Sequence, residues 1–136
     1  MSRFRILTLA LPAFLSACGG DSTTSEAAPR IEVAAVTPVT YADGFPAFTF
    51  TVANRGSATA DNVQLDVQVL RGGAVVDQGV TLVQNIRPGQ SVISDPAVLA
   101  KLSSHADYAC YQYRLRVFDT ADGTYSSDVQ APQVCK

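Results

Sequence analysis

The residues best suited to chemistry in this chain surround its only histidine. Ser103, Ser104 and Asp107 lie within two residues of His105, so the three residue types of a hydrolytic triad are present. A nucleophile, a base and an orienting acid must converge from separately positioned elements, which neighbours in a single loop do not do. We therefore expect a polar loop here, no catalytic residues, and a protein that is not an enzyme.

Metal ligands are similarly sparse. A zinc site usually needs four His or Cys ligands. This chain has one histidine and three cysteines, and the cysteines are assigned other roles below. The stretch "DTADG", residues 119–123, offers two carboxylates in a turn, whereas calcium takes six or more oxygen ligands. A plain hairpin turn is the favoured interpretation, with a calcium loop as the alternative. We expect no metal and no cofactor.

The amino terminus has the pattern of a secretory signal. Basic residues at positions 1–5 precede a ten-residue apolar run at 6–15, which is too short for a membrane-spanning helix of about 20 residues. Small residues and a cysteine follow. These residues, Leu15-Ser16-Ala17-Cys18, resemble the lipobox of bacterial lipoproteins.

This resemblance implies that residues 1–17 are cleaved and that Cys18 is lipidated and becomes the first mature residue. Several acyl chains anchor a protein firmly, at about 0.8 kcal/mol per buried methylene. Gly19 follows the cysteine rather than the aspartate that retains lipoproteins at the inner membrane, so the resemblance favours the outer membrane, with its face left open. The alternative is a plain secretory signal that leaves Cys18 as a free thiol.

Composition then divides the mature chain into a linker and one domain. Residues 18–30 contain no large apolar side chain and predict a disordered linker. Residues 31–136 are long enough for a single domain. The chain has 10 Lys and Arg against 12 Asp and Glu, and loss of Arg3 and Arg5 with the signal makes it more acidic. This balance argues against nucleic acid as a partner.

The periodicity of the domain is two rather than 3.6. Apolar residues alternate with polar ones over 48–52, 63–69 and 111–117, which predicts strands with one buried face. Further strands are predicted at 31–37, 74–84, 91–95 and 125–134. Residues 95–104 break the pattern, and we expect a short helical crossover there, with a continuing edge strand as the alternative. About seven strands indicate an all-β sandwich.

Residues 48–92 resemble the bacterial immunoglobulin-like modules known as CARDB and the related FxLYD type. Those modules share a strand ending in Val-x-Asn-x-Gly, a strand that begins with Asn-Val, a glycine-containing hairpin and a Pro-Gly turn. The matching residues here are Val52, Asn54, Gly56, Asn62, Val63, Gly72, Gly73, Pro88 and Gly89. The resemblance implies an immunoglobulin-like β-sandwich of about seven antiparallel strands that binds, spaces or adheres.

If Cys18 is lipidated, Cys110 and Cys135 remain as a pair in an oxidising compartment, and we expect a disulfide between them. The bridge would clamp the open end of the last hairpin. A register that sets Leu115 opposite Val129 keeps the apolar faces matched. That register needs a bulge near Pro132 to bring the two cysteines opposite each other.

The predicted function is that of a membrane-anchored, non-catalytic envelope lipoprotein, whose immunoglobulin-like domain serves protein interaction, adhesion or assembly. The alternative is a lipoprotein that binds a glycan or small molecule, which the polar outward residues disfavour. Strand edges recruit other chains. The segment from 74 to 84 has one charge and neither lysine nor proline, so it is the candidate partner edge, at Val75, Val76, Val80, Thr81 and Leu82. The alternative is that both valine faces of this segment are covered within the domain.

Overall fold

The computed structural model describes residues 26–118 and 124–136, which form two antiparallel sheets packed face to face. The all-β sandwich predicted from the sequence is confirmed, and seven of the strands in the described residues have three or more residues. In chain order the strands are β1 (Ile31–Thr40), β2 (Pro46–Asn54), β3 (Ala60–Arg71), β4 (Ala74–Ile86), β5 (Ser91–Ile93), β6 (Ala97–Val98), β7 (Cys110–Phe118), β8 (Tyr125–Gln130) and β9 (Val134–Cys135).

The two sheets differ in width. In the first sheet, β2 lies between β1 on one side and the short strands β5 and β6 on the other. In the second sheet the order is β4-β3-β7-β8, and β9 pairs with β7 in continuation of β8. The strands β4 and β8 are therefore the edges of the second sheet.

The core lies between β2 and the pair β3 and β7. Alternate residues of these strands point inward and are buried, as the periodicity predicted. Aromatic rings join the two sheets: Phe48 lies 5.0 Å from Tyr111 and Phe50 lies 5.6 Å from Tyr113, measured between ring centroids. The buried core residues of the three strands are Phe48, Phe50, Val52, Val63, Leu65, Val67, Val69, Leu115 and Val117.

The helical crossover expected at residues 95–104 is wrong, and the alternative of an edge strand is right for its first part. Residues 97 and 98 form β6, which pairs with β2. Just before it, the amide of Ser94 donates to the carbonyl of Phe50, and the Ser94 hydroxyl accepts from the Phe50 amide. A helix over 95–104 would remove the pairing of residues 97 and 98 with Phe48 and Ala47 of β2, and unpaired buried backbone groups are costly.

The predicted disulfide and its register are both present. Cys110 of β7 and Cys135 of β9 lie opposite each other and are bonded. Leu115 lies opposite Val129, so the apolar faces of β7 and β8 match as expected. Between these two points the pairing shifts by one residue across positions 131–133, which is the predicted bulge.

The folded part of the chain begins before Ile31. The carbonyl of Ala28 accepts from the amide of Ser57, and the carbonyl of Arg30 accepts from that of Arg55. A side chain at Gly56 would place its Cβ 2.3 Å from the Ala28 oxygen, so only glycine fits against this segment. The expected disordered linker therefore does not extend to residue 30; its residues 18–25 lie outside the described part.

Candidate functional site

The group around the histidine does not form a hydrolytic triad. The Nε2 atom of His105 lies 2.8 Å from the carbonyl oxygen of Val39, and its Nδ1 lies 2.6 Å from the Tyr108 hydroxyl. A carbonyl only accepts, so Nε2 carries the proton and Nδ1 accepts from Tyr108. The carboxylate of Asp107 instead accepts from the hydroxyl and amide of Ser103. The ring of His105 thus ties β1 to the loop before β7.

Tyr108 completes this structural group. It is almost fully buried and packs against Phe48, while the ammonium of Lys136 lies 3.8 Å from the centre of its ring. Burial, with a smaller contribution from Tyr111, raises the pKa of Tyr108 to about 12. The phenol therefore stays protonated at neutral pH and donates to His105.

Two sequence predictions concern residues outside the described part of the chain. The lipobox residues 15–18, including Cys18, and the candidate calcium turn at 119–123 lie outside the described residues. Within 26–118 and 124–136, no cluster of three or more His, Cys, Asp or Glu side chains is placed to hold a metal ion. No helix among the same residues has the length and apolarity that spanning a membrane requires.

Three of the four sheet edges carry features that hinder pairing with another chain. In β1 the pairing shifts between Val33 and Ala35, and Pro38 lies in the strand. The edge formed by β5 and β6 is interrupted at Pro96, and that formed by β8 and β9 at Pro132. Bulges and prolines at strand edges hinder the addition of further strands. These edges are thus poor docking sites.

The edge of β4 lacks this protection. The strand has 13 residues with neither proline nor lysine, and none of the described strands pairs with the side that faces away from β3. Its shift in pairing is confined to its start, where Val76 has no partner residue in β3. An uncovered strand of this length offers a row of backbone donors and acceptors to another chain.

The structure separates the predicted edge residues into two faces. Val75, Val80 and Leu82 are about half exposed, and Val76 is partly buried. Thr81, however, points into the sandwich and is only 5% exposed. Thr81 therefore belongs to the core rather than to the accessible face of the partner edge, and a charge introduced there would be buried.

One apolar residue that the sequence reasoning did not select lies beside this edge. Ile93 of β5 is 72% exposed and, together with Leu82 and Val83, lines a recess of about 380 Å³. The recess lies on the side of the sandwich where β4 and β5 are the edges of their sheets. Val92 packs towards the core, so the period of two could have placed Ile93 on the outside.

The outer face of the second sheet is polar and internally paired. Arg114 donates two hydrogen bonds to Asp128, of 2.7 and 2.6 Å, and Arg116 pairs with Asp66 across β7 and β3. The hydrogen bond from Arg114 holds the pKa of Asp128 below its usual value and raises that of Arg114. The charges on this face largely neutralise one another.

A shallow groove of about 360 Å³ crosses this face. The amide of Gln112 donates to the amide oxygen of Gln68, and that of Gln130 donates to the carbonyl of Tyr113, so much of its polar lining is already bonded. None of its lining residues is aromatic. The polar side chains that line it are Asp66, Gln68, Gln78, Gln112, Arg114, Arg116 and Gln130.

The described residues, 26–118 and 124–136, define a β-sandwich with one unprotected sheet edge. No family model, curated protein or solved structure matches the chain. The chain's own geometry and the resemblances in its sequence are therefore the guides to its function.

Proposed function

We propose that this chain is a membrane-anchored, non-catalytic lipoprotein of the cell envelope, which uses an immunoglobulin-like domain to bind another protein. Cys18 carries the lipid anchor in the outer membrane. The lipobox resemblance supports the anchor, and the resemblance of residues 48–92 to CARDB and FxLYD modules supports the immunoglobulin-like assignment. The uncovered edge of β4 carries the proposal that the domain binds protein.

The edge of β4 is suited to protein rather than to a small molecule. A partner strand would gain main-chain hydrogen bonds along β4, and its side chains would cover Val80 and Leu82. Exposed apolar residues beside a free edge favour aggregation, and proteins normally prevent this with charges or prolines. From residue 78 to residue 86, β4 has neither charge nor proline, while the other three edges of the described sandwich are protected, and this is what a docking strand requires.

The ligand-binding alternative depends on the groove across the outer face of the second sheet. Amide and guanidinium groups there would suit the hydroxyl groups of a glycan. The alternative has less support, because the groove has no aromatic lining and its charged groups already pair with each other.

Site-specific photocrosslinking in living cells tests the proposal. A photoreactive residue at Leu82 should give a crosslinked protein adduct in the membrane fraction. Val129 is the matched control, since it is 51% exposed, apolar and on the opposite edge strand of the same sheet. Equal adducts at both positions, or none at either, would contradict the assignment of β4 as the docking edge.

The same cells test the anchor. In a Cys18→Ser chain, both the protein and its adduct should leave the membrane fraction, because the acceptor of the lipid is gone. If the variant stays with the membranes to the same extent as the unaltered chain, the lipoprotein part of the proposal fails, while the result at Leu82 still stands by itself.

A further inference from the structure

The outward residues of β4 have the same order of chemical classes in both directions along the strand. Beyond the irregular start of the strand, they are Gln78, Val80, Leu82 and Gln84, all exposed. The central pair is apolar, the flanking pair carries amides, and none bears a charge. The pattern is therefore symmetric about Thr81.

Symmetry of this kind suits an antiparallel pairing of the strand with itself. When two identical strands pair antiparallel around a two-fold axis, the residue numbers of every directly opposed pair add up to the same sum. The outward residues of β4 all have even numbers, so this sum must be even if outward residues are to lie opposite outward residues. An axis through Thr81 sets Val80 opposite Leu82 of the second copy. The same axis sets Gln78 opposite Gln84 of the second copy, so each residue meets one of its own kind.

The neighbouring registers match less well. An axis through Val80 would place Leu82 opposite Gln78 of the second copy, and an axis through Leu82 would place Val80 opposite Gln84. Each of these leaves an apolar side chain facing an amide. Cross-strand pairs are worth roughly 0.2–1 kcal/mol each relative to alanine pairs, so the register with matched pairs is favoured.

We propose that the partner at this edge is a second copy of this chain, paired antiparallel along β4 with the two-fold axis at Thr81, so that the second sheets of both copies form one sheet eight strands wide. The inference rests on the proposed role of β4 as a docking edge and names its occupant. The occupant follows from complementarity, because an uncharged face whose amide and apolar residues are arranged symmetrically is complementary to itself.

Two further observations support a second copy. In an isologous dimer the same surface serves both subunits, and β4 is the one edge of the described sandwich that is free of proline and long enough for this. The buried carboxylate of Asp77, the only charge in β4, points inward and accepts from the amide of Lys101. Asp77 therefore does not place two like charges opposite each other when β4 pairs with β4 of the second copy.

Charge complementation at two positions tests the register. In the full chain purified in detergent, Val80→Glu and Leu82→Lys should each raise the dissociation constant of the dimer about tenfold or more, because both apolar pairs are lost. When the two variants are mixed, the glutamate of one copy faces the lysine of the other. The mixture should therefore form a one-to-one heterodimer, as measured by light scattering and native mass spectrometry.

A second mixture is the control for register. Val80→Glu mixed with Val80→Lys should not restore dimers to the same degree, because position 80 faces position 82 and not itself. Rescue by this mixture, and not by the first, would overturn the axis at Thr81. Val129→Glu, on the opposite edge, should leave the dimer unchanged.

Folding is monitored by the melting temperature, which should change little because both sites are about half exposed. If Val80→Glu melts well below the unaltered chain, Val80→Thr removes the apolar pair while it keeps a β-branched residue. A monomeric unaltered chain whose Leu82 photocrosslinks to a different protein would overturn the dimer and leave the proposed function intact. A monomer without any adduct at Leu82 would overturn both.

Discussion

Asn54 is the residue whose replacement should reveal most about what holds this sandwich together. Its side chain is fully buried at the end of β2 and makes four hydrogen bonds to backbone groups. Its Oδ1 accepts from the amides of Arg30, at 3.2 Å, and Gly56, at 2.9 Å. Its Nδ2 donates to the carbonyls of Ala58 and Ile86, both at 2.8 Å.

Asn54→Ala removes all four bonds. A hydrogen bond contributes about 1 kcal/mol net, and the carbonyl of Ile86 is left buried without this donor. Three of the bonds are only partly buried, so we expect a loss of about 3 kcal/mol in the free energy of unfolding. With a urea dependence of about 1.5 kcal/mol per molar, the unfolding midpoint should fall by about 2 M.

Two further variants separate the causes of this loss. Asn54→Asp preserves the volume of the side chain but replaces the two donated bonds with a carboxylate oxygen facing two carbonyls. It should therefore lose at least as much stability as the alanine variant. Asn62→Ala removes a partly exposed amide whose Oδ1 accepts a solvent-exposed hydrogen bond from Gln84, and should cost less than about 0.5 kcal/mol. If Asn54→Ala costs less than about 1 kcal/mol, or no more than Asn62→Ala, the reasoning is refuted.

Two other predictions concern the disulfide and the buried tyrosine. Replacement of Cys110 and Cys135 by alanine should lower the free energy of unfolding by roughly 3.5 kcal/mol in the chain-entropy model, without loss of the sandwich. Urea denaturation of the unaltered chain and of the double alanine variant measures this difference. An unchanged midpoint would mean that the bridge does not constrain the unfolded chain. Ultraviolet titration should show one tyrosine with a pKa of about 12, which disappears in Tyr108→Phe. Because the unfolded phenol ionises near pH 10 and the folded one near pH 12, stability should fall as the pH rises through this interval, and less steeply in Tyr108→Phe.

The sequence predicted the sheets well because burial leaves a strong mark with a period of two. The alternation along β3 and β7 located the core, and the need to match apolar faces set Leu115 opposite Val129. The one-residue offset that brings Cys110 opposite Cys135 then required a bulge. The core and the Leu115–Val129 register follow from alternation alone, whereas the bulge follows once Cys110 and Cys135 are taken to be bonded.

The errors arose where local pattern and backbone pairing compete. The spacing of Val98, Leu99 and Leu102 suits a helix, but the edge of β2 needs hydrogen-bond partners, and β6 with Ser94 supplies them. In β4, the unpaired Val76 shifts the alternation by one residue, so the sequence alone did not show that Thr81 points inward. In both places the deciding interaction is long-range.

The anchoring role of Asn54 had no periodic signal either. The motif from Val52 to Gly56 was visible as a resemblance to known modules, but its physical reason is the set of four backbone hydrogen bonds around one buried amide. A single buried polar residue at a strand end leaves no pattern in its neighbours. Only the folded backbone shows which groups it satisfies.

Asn54 binds the backbone at Arg30, where the N-terminal linker joins the domain, and the position of this junction restricts how the proposed dimer can lie on a membrane. Asn54 binds both Arg30 and Ile86, so the linker joins the domain at the C-terminal end of β4. With the axis at Thr81, Ile86 lies opposite Val76 of the second copy. The two attachment points are then ten residues apart along the paired strands, or about 34 Å.

The ten chain steps from Cys18 to Ala28 reach at most about 35 Å. If the strands were perpendicular to the membrane, one attachment point would lie about 34 Å farther from the membrane than the other, and its linker would need its whole length to cover that difference. Both anchors reach the same membrane easily only when the strands lie parallel to its surface. If the two-fold axis, which is perpendicular to the shared sheet, also stands normal to the membrane, such a dimer would spread over it as a low, elongated plate whose height is that of the two stacked sheets.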